Sequence, residues 1–159
     1  MNLKEKRTKY LKNVYRYLSI RNRSEKEVRD YLAKKQASEE IIAHIIQLLK
    51  KQKFLDDVAF ARSWILSRSR LKPKGTHVLK MELVQKGIAK ETITTVLEEV
   101  AGEVPDQLTQ AKKIIEKRME RLKGASRQEI FTRVGGFLTR RGFDWETTKK
   151  AIESSIKRE

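Results

Sequence analysis

Cysteine is absent from the 159 residues, which excludes disulfides and thiolate nucleophiles and removes zinc's commonest ligand. Histidine is almost as scarce. His44 and His77 are the whole supply, they fall in different helical patterns, and neither belongs to an HExxH spacing, so no metal centre is expected. His44 reads as a residue on an exposed helix face, and His77, between Lys74 and Lys80, as a surface residue or a phosphate contact. Only 2 prolines and 7 glycines are present, too few for a flexible linker or a sandwich with many tight turns. No apolar run approaches the roughly 20 residues that cross a bilayer. The opening MNLKEKRTKYLKNVYRYL has charge but no apolar core of the secretory type, so no membrane is expected and a cytoplasmic location is.

What the chain does have is positive charge. Its 37 Lys and Arg against 21 Asp and Glu give +16, an excess that repels self-association, so a monomer is expected, and that attracts polyanions. A merely solvated surface is the bland alternative. The excess is uneven: residues 1–55 hold 15 basic and 6 acidic side chains, 56–105 hold 8 and 7, and 106–159 hold 14 and 8.

Apolar residues recur at three and four, as in Leu11, Val14 and Leu18, then Val28, Tyr31 and Leu32, then Ile42, Ile45 and Leu49, which marks helix faces. Start signals accompany them: Ser24 with Glu27, Ser38, Asp106, Ser126 with Glu129, and Asp144. An all-α fold follows.

Three windows align without gaps: Leu32 to Glu40, Leu83 to Glu91, and Leu138 to Glu146, at spacings of 51 and 55 residues. Such spacings hold three helices each, which predicts modules over 1–54, 55–104 and 105–159. Each central helix ends at Lys or Arg, and Gly87 and Gly142 take the left-handed cap. Gln36 stands at that place in the first module, which predicts a looser or differently shaped turn there. Gly135 and Gly136, inside a helical pattern, predict close packing against another helix.

No catalytic constellation emerges. Asp56 and Asp57 have neither a base partner nor a ligand set; they start a helix, one as its cap and the other on its dipole, worth about 0.3 to 1 kcal/mol. Phe60, Ala61, Trp64 and Ile65 follow as a packing stripe. Lys72-Pro73-Lys74-Gly75-Thr76 lacks the spacing of a phosphate loop and reads as a connection that presents its lysines away from a compensating helix face. Arg68, Arg70, Lys72, Lys74, Lys80 and Lys86, opposed by Glu82, form a basic run, and Arg29, Lys34, Lys35, Arg140 and Arg141 extend it into the outer modules. Tyr10, Tyr15, Tyr17 and Tyr31 are interleaved with basic residues, as in strand-stacking proteins, although Tyr10 and Tyr17 share a face suited to the core.

Asp56-Asp57, Phe60-Ala61, Trp64, Arg68, Gly75, Leu79, Glu82-Leu83 and Lys86-Gly87-Ile88 together resemble the RecX family of bacterial regulatory proteins, and the likeness runs from about Tyr10 to the end. The resemblance implies tandem three-helix repeats in an elongated curved array. It implies a negative regulator of the RecA recombinase, bound in the groove of the RecA filament on single-stranded DNA or at its growing end. Filament extension, ATP hydrolysis, strand exchange and the coprotease activity behind the SOS response would fall, without catalysis or a cofactor of the regulator's own. A direct, sequence-nonspecific DNA-binding protein, for single strands or duplex, is the alternative. Val78 departs from the family pattern, where arginine is common, with His77 and Lys80 as substitutes.

Overall fold

The computed structural model describes residues 1–157, so the last two residues of the expected third module lie outside the described residues. Helices α1 (Leu3–Ile20), α2 (Glu25–Lys34) and α3 (Glu39–Lys51) come first, then α4 (Asp57–Leu71), α5 (Thr76–Gln85) and α6 (Lys90–Glu99). After these come α7 (Gln107–Arg121), α8 (Arg127–Ile130), a π-helical turn over Phe131–Gly135, α9 (Gly136–Arg140) and α10 (Trp145–Ile156). The described residues contain no strand. Helices start where the sequence has side-chain oxygens: Ser24, Ser38, Asp106, Ser126 and Asp144 each accept from a backbone amide three residues on. Ser24 and Glu27 complete a reciprocal capping box.

Two compact units emerge, one of Met1–Ala61 with Leu83–Ile93, the other of Arg62–Glu82 with the chain from Thr94 onward. The first is organised on Val14, Val28, Leu32, Ile45 and Leu49, all at most 1% exposed, with Tyr10, Tyr15 and Tyr31 packed against them. In the second, Ala111 and Ile115 of α7 meet Val134 and Leu138 of the interrupted helix and Ala151 and Ile152 of α10. Deleting a buried Leu or Ile side chain from either cluster removes about 2 to 5 kcal/mol, which is why the three-and-four pattern dictates the elements.

Of the two glycines expected to pack against another helix, Gly135 faces α10, where a Cβ would lie at ordinary contact distances of 3.7 Å from Trp145 and 3.9 Å from Ile152, whereas one on Gly136 would meet only Arg140 Nη1 of the same helix, at 3.2 Å. The π turn there has no sequence signal beyond the two glycines.

The turn at Gln36 corrects the sequence reading. Gln36 has φ +62°, beside +79° at Gly87 and +91° at Gly142, and all three turns close alike. Gln36 N donates to Ala33 O (2.8 Å) and Ala37 N to Leu32 O (3.1 Å). Gly87 N donates to Val84 O (2.9 Å) and Ile88 N to Leu83 O (3.0 Å), while Gly142 N donates to Thr139 O (2.9 Å) and Phe143 N to Leu138 O (3.2 Å). The left-handed conformation costs a side chain about 1 to 2 kcal/mol, which Gln36 bears at an exposed position. At the other two turns glycine is required by what lies against them.

Candidate functional site

Each glycine turn is seated on the N-terminus of the central helix of the preceding module. In the first unit Ser24, fully buried, donates its hydroxyl to the Lys86 carbonyl (2.6 Å). A Cβ on Gly87 would stand 2.5 Å from Lys26 Cβ, so only glycine permits the approach. Lys86 Nζ reaches Glu27 Oε1 (2.7 Å), which also accepts from Arg21 (2.6 Å), while Glu27 Oε2 takes the Ser24 amide (3.0 Å). Burial alone would raise the Glu27 carboxyl, but the hydrogen bonds from Arg21, Lys86 and Ser24 outweigh it and hold it at about 2.

A carboxyl depressed in the fold stabilises above its ordinary value of 4.5 and loses that contribution as pH falls toward about 2. Glu27→Gln is therefore expected to cost about 2 kcal/mol at pH 7, after allowance for solvent screening, and progressively less between pH 4.5 and 2. Urea unfolding of both proteins across that range checks it; a pH-independent difference contradicts it.

The aspartate pair divides its work. Asp56 caps α4, accepting from the Ala59 amide (3.0 Å). Asp57 serves a different helix, accepting from the Glu25 amide (2.9 Å) at the start of α2. Glu25 in turn pairs with Arg29 (3.0 Å) and Lys50 (2.5 Å). Sequence reasoning placed both aspartates on α4 alone, because a contact across 32 residues has no local signal.

The second unit repeats the seat with other residues. Gly75 N donates to Arg141 O (2.8 Å) and His77 N to Gly142 O (3.3 Å), and the Thr76 amide donates to Gln107 Oε1 (2.9 Å), the counterpart of the bond between Glu25 and Asp57. A Cβ on Gly75 would fall 2.0 Å from the Gly142 carbonyl, and one on Gly142 would fall 2.5 Å from Val78. Val78 is thus a packing residue under the turn, while His77 and Lys80 are exposed. Of the remaining residues of the signature, Phe60, Leu83 and Ile88 are buried and Trp64 is half-buried.

The basic residues fall into two sets. Arg29, Arg68, Lys74 and Lys86 are partly buried in ion pairs, and Arg141 lies with its guanidinium 4.9 Å from the Phe137 ring centre and Nη1 3.3 Å from the Pro73 carbonyl. Lys34, Lys35, Arg70, Lys72, Lys80 and Arg140 are exposed. Lys74 corrects the expectation for its loop: it is bound to the carboxylate of Glu82, which accepts Trp64 Nε1 (2.9 Å) and Arg68 Nε (3.1 Å) as well. Burial would raise the Glu82 carboxyl, yet the hydrogen bonds from Lys74 and Trp64 and the charge of Arg68 keep it below the usual range.

The tyrosines are engaged in packing. Tyr10 donates to the Lys35 carbonyl (3.1 Å), Tyr15 to Gln52 (2.6 Å), and Tyr17 stacks on Tyr31 at 4.3 Å with Arg23 over its ring. His44 is exposed. Among the described residues no group of three or more His, Cys, Asp or Glu could hold a metal ion, and no helix is long and apolar enough to cross a membrane.

The architecture has known counterparts. The first three-helix domain of RecX matches residues 13–49, the second 56–97 and the third 105–152. The regulatory protein RecX of Oceanobacillus iheyensis is 40% identical over 128 residues, 80% of this chain and 46% of its own length. That of Prosthecochloris aestuarii is 34% identical over 151 residues, 93% of this chain and 94% of its own. The chain spans about half the length of the Oceanobacillus and Bacillus relatives. The crystal structure of RecX from Lactobacillus salivarius superposes with a TM-score of 0.85 at 24% identity, over 97% of this chain and 99% of that one, a likeness of fold. With all three repeat domains matched in order and relatives above 30% identity along nearly its full length, the chain belongs to the RecX family of regulatory proteins.

Proposed function

We propose that this protein is a negative regulator of RecA, binding the RecA filament on single-stranded DNA in its groove or at its growing end and limiting extension, ATP hydrolysis, strand exchange and coprotease activity. Membership of the RecX family carries the reading. The +16 charge supports it, because a filament of protein on nucleic acid is a polyanion that such a surface is drawn to. The protein acts by binding, as a cytoplasmic monomer without cofactor or catalysis.

The test is RecA's ATPase on single-stranded DNA with this protein far below one copy per RecA. Inhibition at those ratios is expected; an unchanged rate at every ratio overturns the reading. Direct, sequence-nonspecific binding to DNA is a second reading, favoured by Arg70, Lys72 and Lys80, which are exposed and have no carboxylate in ion-pair range among the described residues. Strong binding to naked strands, without preference for RecA filaments, would favour it over the first.

A further inference from the structure

Glu82 is held by more positive charge than it can neutralise. An indole N–H, a guanidinium and an ammonium converge on one carboxylate, leaving the cluster with one net positive charge. The side chains remain in contact with solvent, at 29% exposure for Arg68, 28% for Lys74 and 17% for Glu82. The charge continues next to the cluster, with Arg70 before the Lys72–Lys74 loop and Lys72 within it, both exposed.

The repeat shows that the fold does not need a carboxylate here. At the spacings of 51 and 55 residues, Glu82 aligns with Tyr31 in the first module and Phe137 in the third. Those rings serve as neutral platforms: Lys35 Nζ lies 5.9 Å from the Tyr31 ring centre, and Arg118 and Arg141 lie 3.7 and 4.9 Å from that of Phe137. Arg23, which aligns with Lys74, sits 4.0 Å over Tyr17. A cation on an aromatic face keeps its full charge for a second, anionic partner, whereas one on a carboxylate does not. Only in the central module does the chain supply the anion itself at this position.

An anion held by a planar guanidinium and an ammonium is a stand-in for a phosphate oxygen pair, the group these donors recognise in nucleic-acid backbones. We propose that Trp64, Arg68 and Lys74 form a binding site for one phosphodiester of a nucleic-acid strand, with the Glu82 carboxylate as its resident occupant, displaced when the strand binds. The site rests on the strand-contacting part of the proposed function and adds its regulation: Glu82 weakens strand binding until neighbouring cations, Arg70 and Lys72 among them, have brought the strand in.

The test uses fluorescein-labelled 20-nucleotide oligo-dT and measures affinity against salt for the full chain and for Glu82→Gln. The variant is expected to bind about three- to tenfold tighter at low salt, with a salt slope steeper by about one, because losing the carboxylate frees one more positive charge for the phosphate. In a Trp145→Phe background Trp64 is the only tryptophan. Its emission is expected to change along the same binding curve as Glu82 leaves the indole N–H. Equal affinities and slopes for the two proteins, with Trp64 emission flat while the labelled strand binds, overturn the site and leave the proposed function standing. If the wild-type chain fails to bind the strand at all, strand contact itself falls, and the site with it. Trp64 emission that responds to poly-glutamate but not to oligo-dT also overturns it, by reassigning the cradle to acidic protein. Should Glu82→Gln lose helical circular dichroism, the Trp64 titration in the otherwise native chain decides alone.

Discussion

Gly75→Ala is expected to lower the stability of the fold by about 3 kcal/mol or more, an exceptional cost for a single methyl group. The added carbon would fall 2.0 Å from both C and O of Gly142 and 2.2 Å from the Phe143 amide, so backbone meets backbone and no rotamer relieves it. To accommodate it the Gly142 turn has to leave its seat, which breaks the bonds from Gly75 to Arg141 and from His77 to Gly142. For a chain of this size that corresponds to a melting temperature lower by about 6 to 12 °C. Two controls separate this from a general effect of glycine replacement. Gly102→Ala meets nothing within 4 Å and is expected to be within about 0.5 kcal/mol of the parent. Gln36→Gly relieves a left-handed side chain at an exposed turn and is expected to be neutral or stabilising by up to about 1 kcal/mol. Thermal unfolding of the three variants checks the ordering; a Gly75→Ala transition within about 2 °C of the parent contradicts the seat as described.

Neutralising Arg70, Lys72 and Lys80 together as glutamines is expected to weaken binding to a 20-nucleotide single strand by about tenfold or more at low salt and to flatten the salt slope by about 2. These three are exposed and outside any ion pair among the described residues, so removing them leaves no orphaned carboxylate, and stability should stay within about 1 kcal/mol. Arg29→Gln offers the contrast, since it removes a partner of Glu25 at the start of α2 and acts first on the fold. Filter binding across a salt series, with denaturant unfolding in parallel, checks both halves. An unchanged slope in the triple variant would place strand contact elsewhere on the protein.

Local order was legible in the sequence wherever a single helix decides it. Ser24, Ser38, Asp106, Ser126 and Asp144 announce helix starts because a cap needs only an oxygen three residues before its amide. The alignment of Leu32, Leu83 and Leu138 announces the repeat, and all three are fully buried. The contacts that join modules were not legible. Nothing near Asp57 says that it serves the Glu25 amide, and nothing near Ser24 points to Lys86, 62 residues on. The repeat itself held a usable hint: glycine follows the basic residue at 87 and 142 but not at 36, and the two glycine turns are those with backbone seated against them. The left-handed conformation explained the glycines only in part, as Gln36 and Lys53, at φ +62° and +59°, demonstrate.

Charge was legible only in part, for a related reason. A count of lysines and arginines records supply, whereas Glu82 and Glu27 each draw two of those cations into partly buried pairs. The cations outside such pairs among the described residues, Arg70, Lys72 and Lys80 among them, are found only once the acids have been located in space.

The length of RecA filaments on single-stranded DNA, imaged as this protein is added, tests the central claim most directly. Filaments are expected to shorten at protein-to-RecA ratios far below one, and to shorten less with the Arg70, Lys72 and Lys80 variant. Filaments of unchanged length at every ratio, under conditions where the protein is folded, would contradict it.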